Sequence, residues 1–321
     1  MANQVSVVIP TFNAGPDFEE LLLQLDAQRG DFELEVVVVD SGSTDGTVEL
    51  AARHGTLLHS VSKASFNHGA TRDLGISLSS GEYVALTVQD AMPLDERWLA
   101  AMVENLREDL RVAAVYGRHV PRSEAGLLTR ALVGNLAVAD LERREQEIQA
   151  TYSSLPPAQR RRIAAFDNVS SCLRRSVWEE FPFGETDFAE DLRWGKKVVE
   201  AGYTIVYEPR SVVVHSHERG ALYDLRRHYV DQLVLDELFG ARMVPSLPRL
   251  IFGIPYSTRH VYGLLRREDP TPEKKPRLLL EAATYALASQ LGAYLGGKAP
   301  SVSRLSPRLH ARLHRILGKG V

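Results

Sequence analysis

The sequence predicts an α/β fold: a mostly parallel central sheet flanked by helices, followed by a helical C-terminal region. Three observations predict it. Short β-prone runs alternate with helical patterns from Val5 to Tyr116, an order that gives parallel strands through crossovers. The runs are nearly all apolar, as in VVVVD and VALTVQD, and read as strands covered on both faces. Two of them stop at an aspartate, Asp40 and Asp90. Open α/β sheets bind ligands in the crevice at the carboxyl ends of their strands, so two such acids point to a polar site.

Residues 5–9 form the first strand. A helix follows at 16–28, with Phe18, Leu21, Leu22 and Leu25 on one face and Pro16 in the first turn. Residues 35–39 are the second strand. Asp45 or Thr44 caps a helix at 48–53 that Gly55 ends. A short strand at 57–60, a helix at 70–78 and a strand at 83–88 continue the alternation. The helix at 95–107 turns Trp98, Leu99, Met102, Val103 and Leu106 inward, and 112–116 is a further strand. Residues 123–162 are helix-prone and charged and read as a solvated helical excursion. Strands return at 168–173 and 204–214, and from Arg219 the pattern is helical with basic clusters. The expected division is 1–218 for the α/β domain and 219–321 for the helical region.

The 321 residues suffice for a large core. A net charge of −3 excludes a global basic field for nucleic acid. The single cysteine, Cys172, excludes an internal disulfide, suits a reducing compartment and reads as packing. The first residues show neither a basic n-region nor a signal-length apolar segment. Residues 278–297 approach membrane-span length but contain Glu281, Thr284, Ser289 and Gln290, which favours a buried or membrane-surface helix. Residues 303–321 place Arg304, Arg308, Arg312, Arg315 and Lys319 near one helical face and leucines on another. Such a helix rests on an anionic membrane surface or packs on the protein with its arginines solvated.

Several segments carry candidate chemistry. The turn Pro10-Thr11-Phe12-Asn13 offers backbone donors and an amide to a ligand. Asp40 can accept from a base imide or a ribose hydroxyl, whereas Asp45 reads as a cap. Arg72, in FNHGATRDLG, meets a phosphate or pairs with a carboxylate. Asp90 is either a ligand for a divalent cation or a turn cap before Pro93. Glu190 and Asp191 stand at a helix start, where the dipole favours acids; one of them can serve as a general base, and adjacent side chains diverge. His215 and His217, two apart at a strand end, share a face and could complete a metal shell. No GxGxxG or Walker loop occurs.

Taken together, VSVVIPTFNAG, VVVVDSGSTDGT, FNHGATRDLG, TVQDAMP and AEDLRWGKKVVEAGY resemble the family-two glycosyltransferases of GT-A fold, in their rhamnosyltransferase-like branch. The resemblance spans about residues 5–217. It implies that Pro10, Thr11, Asn13 and Asp40 contact the nucleoside, with Ser41, Arg72 and Gln89 in the same donor site. It makes Asp90 the metal carboxylate, with His215 or His217 near the metal or diphosphate. It makes Asp191 the catalytic base, with Glu190 beside it. Gln89-Asp90-Ala91 stands where many relatives carry two or more aspartates, which thins the metal shell. The implied reaction is inverting and assisted by Mg²⁺ or Mn²⁺. A sugar, first of all L-rhamnose from dTDP-L-rhamnose, moves to a hydroxyl of a glycan or lipid-linked acceptor in bacterial surface polysaccharide synthesis. The expected setting is cytoplasmic, with peripheral contact at the inner membrane face and a homo-oligomer as further possibilities. Transfer of another nucleotide-linked hexose, or non-catalytic binding of a nucleotide sugar, are the alternatives.

Overall fold

The structure is a computed structural model that describes residues 4–148 and 152–318. The chain divides into two compact units, Met1–Val120 with Leu136–His215, and Pro121–Asn135 with Ser216–Val321.

The first unit is built on β1 (Gln4–Thr11), α1 (Asp17–Asp26), β2 (Glu33–Asp40), α2 (Thr47–Arg53), β3 (Leu57–Ser60), α3 (His68–Leu78), β4 (Tyr83–Thr87), β5 (Met92–Pro93), α4 (Trp98–Glu108) and β6 (Val112–Val120). After α5 (Leu127–Val133), which belongs to the second unit, come β7 (Arg144–Gln146), α6 (Pro157–Ile163), β8 (Ser170–Arg174), α7 (Arg175–Glu180), α8 (Glu190–Glu200) and β9 (Thr204–Val214). The sheet order is β3-β2-β1-β4-β8-β6-β9-β5, with β7 also on β9.

The fold class is the expected one, with a mixed sheet. β1, β2, β3 and β4 are parallel, as are β6 and β9, but β8 runs antiparallel between β4 and β6. That reversal decides the site. It brings the start of β8, where Ser170 faces Thr87, to the edge where β1, β2, β4, β6 and β9 end.

The apolar patterning is met in three dimensions. Phe18, Leu21, Leu22 and Leu25 of α1 and Trp98, Leu99, Met102, Val103 and Leu106 of α4 share one buried core with β1 and β6. Each such side chain contributes about 1.5–3 kcal/mol. Trp98 Nε1 finds its acceptor in Ser170 Oγ at 2.9 Å. α3 lies close on the sheet because Gly75 has no side chain; a Cβ there would stand 2.3 Å from Val8 Cγ1.

Several local expectations change. The described part of residues 123–162 holds two short α-helices, two single-turn 3-10 helices and β7 in place of a continuous helical excursion, and 149–151 lie outside the described residues. α2 takes Gly46, at φ 92°, as its N-cap; Asp45 instead accepts from Thr47 and Gly15. β9 ends at Val214, so His215 and His217 lie beyond the strand and the two-residue alternation does not apply to them.

The second unit adds α9 (Ala221–Phe239), α10 (Leu247–Glu268), α11 (Lys275–Leu305) and α12 (Pro307–Leu317). The basic C-terminal segment is not one helix from 303. The chain breaks at Ser306, whose side chain caps α12 through Leu309 N, with Pro307 in the first turn. Lys319 lies outside the described residues. Among the described residues no helix is long and apolar enough to cross a membrane.

Candidate active site

β1 and β2 pair in parallel with Thr11 beside Asp40, and the loops after them interlock. Asp40, 1% exposed, accepts at one oxygen from Thr11 Oγ1 at 3.0 Å and from Ser43 Oγ. At the other it accepts from Gly42 N and Ser43 N, both at 2.9 Å. Asn13 takes φ 46°, a left-handed conformation that asparagine tolerates. Its Oδ1 accepts from Thr44 N at 2.8 Å and its own N–H donates to Ser43 Oγ. Gln89, just past β4, accepts from Phe12 N at 2.8 Å. Pro10 is half-buried beside Val39. Ser41 is buried, with an Oγ that has no hydrogen-bond partner among the described residues. Of the residues expected at the donor, Thr11, Asn13 and Asp40 share one hydrogen-bonded network, which Gln89 joins through Phe12 and Ser41 through its backbone N–H to Thr11 O; Arg72 lies elsewhere. Lys63, which the sequence did not flag, places its ammonium 4.1 Å from the centre of the Phe12 ring.

One residue past Gln89, Asp90 meets the chain leaving β9, because β5 pairs with Val213 and Val214. Asp90 Oδ1 lies 3.7 Å from His215 Nε2. Asp90, His215 and His217, two residues further along that segment, each offer one ligand atom, all within 4.8 Å of one another. One carboxylate and two imidazoles form a mixed oxygen and nitrogen donor set that could hold a divalent cation.

The acid pair opens α8. Glu190 is buried and bound: Arg72 Nη1 lies 3.0 Å from its Oε1 and Asn168 Nδ2 donates to the same oxygen at 3.1 Å. Arg72, expected near the donor, is 5% exposed and turned onto this carboxylate, the pairing alternative that its sequence context left open. Asp191 accepts from the N–H of Leu192 at 2.6 Å. Burial raises its pKa above the usual carboxylate range, and the neighbouring Glu190 and Asp167 charges push the same way. A base in that range can collect a proton near neutral pH.

Hydrogen bonds and near approaches run between these parts along one edge. Asp40 touches Thr11, Phe12 bonds Gln89, and Asp90 faces His215. The His215 ring stands 6.0 Å from that of His119, whose Nε2 is 3.9 Å from Asp167 Oδ2. The Asp167 charge in turn helps to raise the pKa of Asp191. Sequence reasoning missed His119, Asp167 and Asn168. His119 lies in the extension of β6 beyond the expected strand end. Asp167 and Asn168 precede β8, and only the antiparallel course of that strand puts its start at the ligand edge. Cys172 is fully buried and burial pushes its thiol pKa up, so it is packing, as expected.

The profile of Glycosyl transferase family 2 matches residues 6–170, just over half of the chain. The O-antigen chain rhamnosyltransferase RfbN of Salmonella typhimurium is 28% identical over 232 residues, 70% of this chain and 70% of its own. Glycosyltransferase AglE of Haloferax volcanii is 33% identical over 310 residues, 90% of this chain and 94% of its own. Among solved structures, residues 1–349 of Staphylococcus aureus TarS in complex with UDP give a TM-score of 0.50 at 17% identity. That match covers 95% of this chain and 92% of that one, and it is a likeness of fold. The chain therefore belongs to glycosyl transferase family 2 and is a glycosyltransferase of GT-A fold.

Proposed function

We propose that the protein transfers L-rhamnose from dTDP-L-rhamnose, with inversion, to a hydroxyl of a glycan or lipid-linked acceptor. The observation that carries the chemistry is Asp191, a carboxyl with raised proton affinity next to an acid that Arg72 has already neutralised. Asp191 takes the proton of the acceptor hydroxyl. The acceptor oxygen forms its bond to the anomeric carbon as the bond from that carbon to the diphosphate oxygen breaks. The nucleotide leaves with the electron pair. Glu190 is held by Arg72, and a single base at Asp191 favours a single displacement. The Thr11, Asn13, Asp40 and Gln89 network supports the nucleoside-binding loops. A divalent cation held by Asp90, His215 and His217 would offset charge on the leaving diphosphate. The rhamnosyltransferase relatives support the sugar.

Asp191→Asn is expected to lower transfer about 10³-fold while calorimetry still detects dTDP-L-rhamnose. Near-native turnover in this variant removes Asp191 from its role. A donor screen in which another nucleotide hexose turns over faster replaces rhamnose and leaves the chemistry intact.

The second unit supports an anionic membrane surface as partner. It holds 19 of the 38 lysines and arginines but 10 of the 41 acids, a net +9, leaving −12 on the first unit. Such asymmetry favours an anionic partner. α10 presents Leu247, Ile251, Phe252 and Tyr256 to solvent, the last two 74% and 77% exposed. The same helix carries Arg249, Arg259, His260 and Arg267 on its exposed positions. A groove of about 310 Å³ between α5 and α10, lined by Tyr256, Arg259, His260 and Arg267, contains no carboxylate. An apolar ridge with basic flanks fits a bilayer of anionic lipid, and α12 adds Arg308, Arg312 and Arg315. The intact protein is expected to co-sediment with phosphatidylglycerol vesicles at low salt and to lose binding with Phe252→Ser and Tyr256→Ser. No sedimentation, or self-association that hides the ridge, overturns this localisation.

A further inference from the structure

The segment FNHGATRDLG is the part of the site whose role the donor-binding expectation leaves unexplained. Its side chains turn to the loop that leads into the acid pair at the start of α8. Asn67 Oδ1 caps α3 through Ala70 N and also accepts from Thr186 N at 2.7 Å, while its Nδ2 donates to Asp187 Oδ1 at 2.8 Å. Gly69 N donates to Thr186 O at 3.3 Å. Asp73 accepts from Trp178 Nε1 at 2.7 Å, Phe183 N at 3.0 Å and Gly184 N at 2.7 Å. Arg72 is tied to its own helix through His68 O at 3.1 Å and reaches Glu190 at 3.0 Å. The two backbones touch: a Cβ on Gly69 would stand 2.0 Å from Gly184 O. The held loop ends at Ala189, a non-glycine residue at φ 57°. That strained backbone persists only where its surroundings over-determine it.

We propose that the first turns of α3 form a clamp that fixes the position of the loop leading into the acid pair. Asn67, Gly69 and Asp73 hold the segment 183–187, and Arg72 is a positioning residue that orients Asp191 through Glu190. Arg72 and Asn168 draw the Glu190 side chain into the protein. Its neighbour Asp191 then points in a different direction, since adjacent positions on a helix diverge by about 100°. The clamp also explains why this motif has so little alternation to spare for a ligand: its polar groups are spent on the chain some 110–120 residues away.

This inference rests on Asp191 as the base, and its test separates the two. The full chain is assayed for dTDP release from dTDP-L-rhamnose with Mn²⁺, alongside hydrogen exchange of amides 183–192. Arg72→Gln is expected to lower kcat at least tenfold with the donor KM within twofold, to speed exchange of the loop, and to be partly rescued by Arg72→Lys. In a Glu190→Gln background the same change is expected to add less than twofold, because its route of action is already gone. Gly69→Ala, which displaces the loop without altering charge, is expected to lower kcat and speed exchange in the same way; it decides the matter if Arg72→Gln does not fold. A raised donor KM with unchanged kcat places Arg72 on the donor and overturns the clamp. Unchanged exchange in Gly69→Ala overturns it too. Loss of turnover in Asp191→Asn together with a silent Arg72→Gln rejects the clamp and keeps the base. Turnover in Asp191→Asn rejects the base, while hydrogen exchange still judges the clamp.

Discussion

Asp40 closes β2 with four donors turned on it from its own and the neighbouring loop. Asp191 opens α8 with one backbone N–H on it and with Glu190 and Asp167 nearby. Both acids are shielded at the ends of elements in the same unit, yet the fold treats them oppositely. A carboxylate whose lone pairs are filled by fixed donors is a builder: it sets the shape of the loops around it. A carboxyl shielded from water and set among like charges holds its proton more tightly and is suited to exchange it. The difference shows why the motif around Asp40 is rich in Ser, Thr and Gly, which supply close donors, while the acid pair borrows its control from Arg72, over a hundred residues earlier.

The larger effect expected from this contrast is on Asp40. Asp40→Ala strands Thr11 Oγ1 at a buried position and removes the acceptor of Ser43 Oγ and of the Gly42 and Ser43 N–H groups, which are nearer the surface, and is expected to destabilise the protein by about 2 kcal/mol. It should also weaken nucleotide binding, because Asn13 and Ser43 lose their anchor. Urea unfolding and dTDP calorimetry measure both. A variant that keeps wild-type stability would mean that the loops hold themselves, and the contrast with Asp191 would vanish.

The smaller effect is on Asp191 and has the opposite sign. A carboxyl whose pKa is higher folded than unfolded binds extra protons in the folded state. Its contribution is most favourable below the unfolded value of about 3.9, and it is lost as pH rises toward the folded value. Asn carries no such proton. Asp191→Asn should therefore match the wild type at pH 4 and become the more stable of the two toward pH 8, by about 2–4 °C in Tm for each kcal/mol. Parallel stability curves over that range would show that Asp191 ionises at no cost and weaken its case as the base.

Legibility followed the same division. The buried faces of α1 and α4 could be read from spacing alone, because a 3.6-residue period leaves few ways to bury Phe18, Leu21 and Leu25 or Trp98, Met102 and Leu106. The strand-end acids Asp40 and Asp90 were legible for a similar reason, since an apolar run that stops at a carboxylate marks the sheet edge. The direction of β8 was not legible. Residues 170–174 carry no signal for parallel or antiparallel pairing, and that choice alone brings Asp167 and Asn168 to the site. The destination of Arg72 was equally hidden, because an arginine one turn into a helix pairs with whichever anion the fold delivers.

The sequence by itself determined the alternating strands and helices, the buried faces and the identity of the acids, because these depend on periodicity and chemistry within a few residues. Only the tertiary structure decided which acid is paired with an arginine and which keeps a raised proton affinity, and which residues lie at the sheet edge beside them. Proton affinity and ion pairing depend on burial and on groups distant in the chain, and those are set when β8 reverses and the turn at Asn67–Asp73 closes on the loop before α8.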